Sequence, residues 1–293
     1  MGENLKSLSF ATWNILGDDL DRLPRLNLIA NEIKNLDFVA IQEVILDEKN
    51  KINTALILSE LSGLKIASCV SGEVTNLVTG QIQGTAILTK LNVENFDLSI
   101  TAPPNSPNKN SQEYKRYAAA VLRAPNRRLI FVCSVHLPWG AHNEVRRLEH
   151  SLALDLQITE IMKTLPADSI SILAGDFNTN TYSESLRFLQ GQTAYRNKST
   201  FWVDLWAAKG EGPGFTFDPT VNNPNLNETA HRSGIISPDL MPPRRLDFLL
   251  LKGWVFGRAG SPLSAGLLGD KPNSNNDFAS DHFGVVGEIW NPD

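Results

Sequence analysis

The residues best suited to chemistry stand where apolar runs stop. Asn14 follows the run at 8–13, Glu43 follows 38–42, and His136 follows 129–135. Asp176 and Asn178 follow 170–174 within Gly175-Asp176-Phe177-Asn178. Asp247 opens the run at 246–251, and Asp281-His282 precedes the run at 283–289. Ligands of open α/β sheets gather at strand ends. Carboxylates converging there suit a hard cation such as Mg2+. Each residue also has a plain reading alone. Asn14 suits a turn, Glu43 a solvated strand end, and Asp176 with Asn178 an Asx-turn. His136 suits a hydrogen-bonded core position, and Asp281-His282 the start of a strand. Their recurrence at the ends of so many strands is what points to one site.

The elements that must position them follow from apolar periodicity. Besides the runs named, 66–70, 84–89, 93–100, 117–123 and 254–256 have strand character. Leu26, Ile29, Ala30 and Ile33 fall on one face of a helix, 52–61 forms a second, and 143–165 the longest. That long helix is expected to bury Val145, Leu148, Leu152 and Leu156. Strands alternate with helices at both ends and cluster in the middle. This predicts a mixed-sheet α/β fold with helices packed on sheets, in one domain over 1–293. The stretches 101–115, 213–244 and 259–280 are rich in Pro, Asn, Gly and Ser and are expected to be loops.

Composition narrows the class. The 293 residues carry 27 Lys+Arg against 32 Asp+Glu, a net charge of −5. This mild acidity argues against a protein that grips nucleic acid by bulk charge. Two cysteines, Cys69 and Cys133, make no disulfide framework and no thiolate metal site. No apolar run reaches the ~18 residues of a membrane span. The N-terminus lacks an apolar signal core, and Lys6 occupies the position where myristoylation needs Ser or Thr. A cytoplasmic enzyme without a membrane anchor is expected.

The motifs TWNILGD, QEV, SVHL, GDFN, RLDFLL and SDHFGV occur in the order seen in the endonuclease/exonuclease/phosphatase superfamily, which this chain resembles from residue 8 to 289. The resemblance implies a four-layer α/β sandwich of two mixed β-sheets flanked by helices. It implies a Mg2+-dependent phosphodiesterase, with Mn2+ able to substitute. Glu43 would be the main metal ligand, with Asn14 and Asp281 near it. Asp176 would orient and deprotonate water, and Asn178 would donate to the phosphate. His282 would contact a phosphate oxygen, Asp247 would hold His282 charged, and His136 would be the second histidine. Relatives of neutral sphingomyelinases and tyrosyl-DNA phosphodiesterase often carry Arg-x-x-Gln on the long helix. Here Arg147 and His150 stand at those positions, so the detailed contact departs. Both, with Trp139 after His136, are candidate substrate contacts; a solvated helix face and a packed loop are the alternatives.

The stretch FWVDLWAAKGEGPGFTFDPTVNNPNLN differs from the Trp- and Tyr-rich stretch of abasic-site endonucleases. It is more similar to the tyrosyl-DNA phosphodiesterase, deadenylase and neutral sphingomyelinase branch. A nucleic acid or nucleotide substrate is expected first. Trp139, Trp202, Trp206, Phe215 and Phe217 are available to stack bases, and Lys109, Lys115, Arg116, Arg123, Arg127 and Arg128 to follow a strand. A lipid or inositol-phosphate hydrolase is the alternative, without an apolar hairpin or basic amphipathic helix in its favour. A binding protein with a relic site is the third.

Overall fold

A computed structural model describes residues 6–17, 22–47, 52–76, 81–103, 115–221, 242–253 and 259–292. The chain opens with β1 (Ser7–Asn14), α1 (Arg22–Ile33) and β2 (Phe38–Asp47), whose two strands run parallel. Next come β3 (Ile52–Asn53), α2 (Thr54–Ser62), β4 (Lys65–Asn76), β5 (Gln81–Thr89), β6 (Asn92–Val93), β7 (Ile100–Ala102) and β8 (Lys115–Arg123). A second parallel unit follows: β9 (Leu129–His136), α3 (Glu144–Met162) and β10 (Ile170–Asp176). The order ends with α4 (Glu184–Leu189), β11 (Val203–Asp204), α5 (Leu205–Lys209), β12 (Asp247–Lys252), β13 (Pro262–Leu268) and β14 (Gly284–Trp290).

Two mixed sheets result. Sheet one runs β13-β14-β1-β2-β5-β4, with β3 on β2; sheet two runs β11-β12-β10-β9-β8-β6, with β7 on β8. Their central strands are buried on both faces, so they are apolar throughout instead of alternating with polar residues. Side chains alternate between layers. Val132 and Ile172 join Phe10, Phe38 and Ile87 in the core between the sheets. Cys133 and Leu173 face the other way, against Leu154 and Ile158 of α3. Ile29, Ile33 and Leu58 of α1 and α2 cover Trp13, Val39 and Ile41 on sheet one. This is the four-layer α/β sandwich. No helix among the described residues is long and apolar enough to cross a membrane, and both cysteines are free.

Four local expectations change. The strand expected at 93–100 exists only as β6 and β7 at its ends; just after β6, Glu94 pairs with Arg123 of β8 (2.6 Å). The expected loop 259–280 contains β13, an edge strand on β14 that opens on a proline beside a register shift, where a missing N–H is tolerated. Residues 52 and 53 are not helical. Asn53 caps α2 by accepting from the Leu56 N–H (3.1 Å), and Gly63 ends it in a left-handed turn (φ 76). Finally, the expected α3 stripe holds at Leu152, which is buried, and at Leu148, which packs on the core, but Val145 and Leu156 are exposed, and Arg147, His150, Ser151, Leu154, Asp155 and Ile158 are buried too. Its buried face mixes polar with apolar residues because it holds loops as well as a core. The strand expected at 254–256 lies outside the described residues.

Candidate active site

On sheet one, β1 ends at Asn14, opposite Gln42. Glu43 does not end its strand. β2 continues to Asp47, and Glu43 sits at a bulge between Gln42 and Val44 with left-handed backbone (φ 61). A bulge re-aims a side chain that the ladder would otherwise fix. The carboxylate is then held from two directions. Oε1 accepts from Asn14 Nδ2 (3.0 Å), and Oε2 accepts from the Gly17 N–H (2.8 Å) and Gln83 Nε2 (3.2 Å). Gln83 also donates to the Gly17 carbonyl (2.8 Å), and a Cβ on Gly17 would meet its side chain at 2.4 Å. Burial opposes the Glu43 charge, but His136, Asn14 and the Gly17 N–H outweigh it and hold the carboxyl below its ordinary range.

On sheet two, the ladder itself does the placing. His136 and Asp176 are partners at the ends of parallel β9 and β10, and Asp247 is the antiparallel partner of Asp176 on β12. Gly175 permits this closeness. A Cβ there would lie 2.0 Å from the Val135 carbonyl oxygen, so the glycine serves the neighbouring strand, not a ligand. Asp176 is buried. Its Oδ2 accepts from Asn14 Nδ2 (3.0 Å) and its Oδ1 from the Asn178 N–H (2.7 Å). Asn178 is therefore not on extended backbone sharing a face with Asp176. It turns left-handed (φ 50), closes an Asx-turn on Asp176, and donates Nδ2 to the Leu137 carbonyl (3.0 Å). Burial first, then Asp247, raise the Asp176 carboxyl above its usual range.

Between the sheets stand Asp281 and His282. His282 Nδ1 lies 2.8 Å from Asp247 Oδ2, and Nε2 lies 4.0 Å from Asp176 Oδ2. Burial opposes the imidazolium, but Asp247 by charge and hydrogen bond, then Asp176 and Asp281, hold His282 well above the ordinary histidine value. His136 Nε2 is 3.6 Å from Asp176 and 3.9 Å from Glu43, too far for hydrogen bonds. Burial lowers its pKa against the pull of Asp176. Asp281 is half-buried, and burial, with the Glu43 charge adding, pushes it up to about 6. Asp176, Asp247 and His282 offer ligand atoms all within 4.8 Å. Within that group His282 and Asp247 are already joined by a hydrogen bond, and the neighbouring carboxylates favour the imidazolium. Glu43 and Asp281, partly exposed and near enough for the Glu43 charge to act on Asp281, are hard-oxygen groups that could hold a cation.

The remaining candidates divide. Arg147 is buried and donates Nη1 to the carbonyls of Pro138 (2.7 Å) and Gly140 (2.8 Å), so it fixes the loop after His136. His150 is fully buried with Nδ1 2.8 Å from Tyr117 Oη, and burial drops it to about 3. Neither side chain faces solvent at the site. Trp139, in the loop after His136, is 59% exposed and Phe215 is exposed too, whereas Trp202, Trp206 and Phe217 are buried and cannot stack bases. Lys115 and Arg116 open β8 at the end of the sheet where His136 lies. Arg123, Arg127 and Arg128 lie at the far end of the β8–β9 pair, roughly 25 Å away at ~3.3 Å per residue. Lys109 is outside the described residues. Sequence reasoning missed several positioning residues. Thr216 Oγ1 accepts from the Leu246 and Asp247 N–H groups (3.0 and 3.2 Å), and its carbonyl accepts from the Phe283 N–H (2.7 Å). Arg25 donates to the carbonyls of Ile15, Leu16 and Ala279, joining the loops of Asn14 and Asp281. The available signal for Arg25 was its place four residues before Ile29, on the apolar stripe of the helix; nothing local marks Thr216.

Two mixed sheets stacked face to face, with ionisable residues of both meeting at one edge, define a DNase I-like sandwich. The chain belongs to the Endonuclease/Exonuclease/phosphatase family, whose model matches residues 11–282. Among solved structures it is similar to TDP2 from C. elegans at 21% identity and TM-score 0.66, covering 99% of this chain and 78% of that one. D. rerio TDP2 complexed with a single-strand DNA product matches at 19% identity and TM-score 0.65, covering 97% and 98%. A family protein from Leptotrichia buccalis matches at 16% identity and TM-score 0.65, covering 96% and 99%. No curated protein matches the chain.

Proposed function

We propose that this chain is a Mg2+-dependent phosphodiesterase that hydrolyses nucleic-acid phosphate esters by direct attack of water. It acts as a nuclease or an end-processing enzyme of the TDP2-like branch, folded as one domain. Mn2+ would substitute. One observation carries the reading: Asn14 Nδ2 donates to Glu43 and to Asp176, linking a cation-binding carboxylate on one sheet to a base on the other. Glu43 and Asp281 would hold the cation, with Asn14 fixing Glu43. Bound there, Mg2+ would neutralise charge on the phosphate and leaving oxygens.

The chain's own residues supply the rest. Asp176 keeps a free lone pair beyond its two hydrogen bonds and would take the proton of the attacking water. Its raised pKa brings it nearer the operating pH, where a general base works best. His282, kept charged by Asp247, would donate Nε2–H to a phosphoryl oxygen, with His136 on the other side. The second Asn178 N–H, not used on Leu137, would face the same oxygens. Trp139 would flank the substrate, while Arg147 positions its loop and His150 packs beneath. The likeness to a TDP2 complexed with single-strand DNA supports nucleic acid over lipid.

The deciding experiment measures cleavage of single- and double-stranded DNA, RNA, sphingomyelin and bis-p-nitrophenyl phosphate, with Mg2+ and with EDTA. Polynucleotide and generic-diester cleavage that EDTA abolishes is expected. Sphingomyelin cleavage alone would move the substrate to lipid, and turnover in excess EDTA would end the metal reading.

A further inference from the structure

Arg244 and Arg245 are adjacent in sequence and opposite in circumstance. Arg245 is buried and paired bidentately with Asp204, Nη1 to Oδ1 at 3.0 Å and Nη2 to Oδ2 at 2.6 Å. Its charge is spent inside the fold. Arg244 is half-buried; its Nε, like that of Arg245, is enclosed without a hydrogen-bond partner, but it lacks the carboxylate that Arg245 has. Among the described residues no carboxylate forms a salt bridge with it. A guanidinium carries five donors and no acceptor, and leaving it half-desolvated without an anion is costly.

Its placement is fixed. The Arg244 N–H and carbonyl bond to the Phe217 carbonyl and N–H (2.8 and 2.9 Å), and the Thr216 N–H adds a third bond to that carbonyl (3.0 Å). The guanidinium carbon lies 5.2 Å over the Phe217 ring, within cation–π range. That ring is 5.3 Å from the His282 ring. Arg244 thus stands beside the proposed phosphate position but behind its first contacts. Asp176 acts on its charge, yet lies farther from it than from His136 or His282.

We infer that Arg244 is a second anion subsite, taking the phosphate next to the scissile one in a substrate that carries at least two. This rests on the phosphodiesterase reading and sharpens it. A polynucleotide strand offers such a neighbour, whereas a sphingomyelin-type head group offers one phosphate only. Arg245 is excluded from the role by its own carboxylate.

The test uses the full chain with Arg244→Ala and Arg244→Lys, each checked for unchanged Tm. The first substrate is an oligothymidylate. The second is the same strand with a neutral methylphosphonate beside the scissile linkage, and the third is bis-p-nitrophenyl phosphate. Arg244→Ala should lower kcat/KM on the charged strand by about 10- to 100-fold, the scale of a charged hydrogen bond. It should change the generic diester less than about 3-fold, because that substrate never reaches the guanidinium. Arg244→Lys should fall between, as it keeps charge but loses the planar fork. The methylphosphonate should hurt the wild type and add little to Arg244→Ala. Binding of the charged strand in EDTA, followed by anisotropy, should lose about one unit of salt slope in Arg244→Ala.

Equal losses on strand and generic diester, or no loss on either, would overturn the subsite. If Arg244→Ala unfolds, Arg244→Lys and the methylphosphonate arm decide alone. A wild type that cleaves the generic diester but binds no oligothymidylate overturns the subsite and leaves the phosphodiesterase reading standing. Arg244-dependent, neighbour-charge-dependent binding without any Mg2+-supported cleavage does the reverse.

Discussion

The chain contains two strand–helix–strand units with parallel strands, β1–α1–β2 and β9–α3–β10, and they present their polar ends differently. In the second unit His136 and Asp176 are ladder partners, and Asp247 is the next partner across. Register alone sets their spacing, and Asp176 is closed off from solvent. In the first unit Asn14 pairs with Gln42, and Glu43 leaves the ladder through a bulge with left-handed backbone. Its side chain is 20% exposed against 2% for Asp176. The difference teaches a division of labour. On the proposed function, the base Asp176 has its position fixed by register. On the same reading, the partly exposed Glu43 and Asp281 that would hold the cation are placed by a bulge and a loop.

The largest effect that tests this division is removal of the cation. EDTA should abolish turnover, and Mg2+ should raise Tm by mass action on the folded state. Glu43→Gln should lose that Tm increment and recover activity at high Mg2+. Asp176→Asn should lower kcat by at least ~100-fold at every Mg2+ concentration, with substrate binding and Tm little changed. If added Mg2+ restores Asp176→Asn, or fails to restore Glu43→Gln while the fold holds, the two units do not divide the work this way.

A smaller effect concerns the support of Glu43. Gln83→Ala removes one donor to its Oε2, so the Mg2+ needed for half-maximal rate should rise about 10-fold, the lower end for outer-sphere partners of metal ligands. A fall in kcat without a change in Mg2+ dependence would instead tie Gln83 to the chemistry.

The smallest effect lies under the second unit and appears as stability. Burial lowers His150 from 6.5 to about 3, so the folded chain resists its protonation while the unfolded chain accepts it. Stability from this group is complete above 6.5 and drains as pH falls from 6.5 toward 3. The urea midpoint of the wild type should therefore drop between pH 7.5 and 5 by more than that of His150→Gln. Equal drops would mean that other groups set the acid sensitivity.

Much of the site was legible because apolar strands stop abruptly. The runs at 129–135 and 170–174 end within two residues of β9 and β10, and so announce His136 and Asp176. Glu43 was found for an incomplete reason. Its polar type interrupts an apolar run, but the strand continues, and a bulge leaves no mark in residue pattern. The α3 stripe was legible only in part: Leu152 and Leu148 pack inward, but Val145 and Leu156 do not, and Arg147 and His150 face inward to hold loops and Tyr117.

What the sequence determines by itself is local: which segments are apolar enough to be strands, which are amphipathic enough to be helices, and which polar residues close them. Those choices depend on neighbours a few residues away. Tertiary structure alone decides what those polar residues meet. Asn14 and Asp176 are 162 positions apart and joined by a 3.0 Å hydrogen bond. Arg244 and Arg245 have the same side chain and each lies over a phenylalanine ring, yet only Arg245 meets a carboxylate, that of Asp204. Charge, hydrogen bonding and burial act through space over a few ångströms, and only the packed sheets fix those distances.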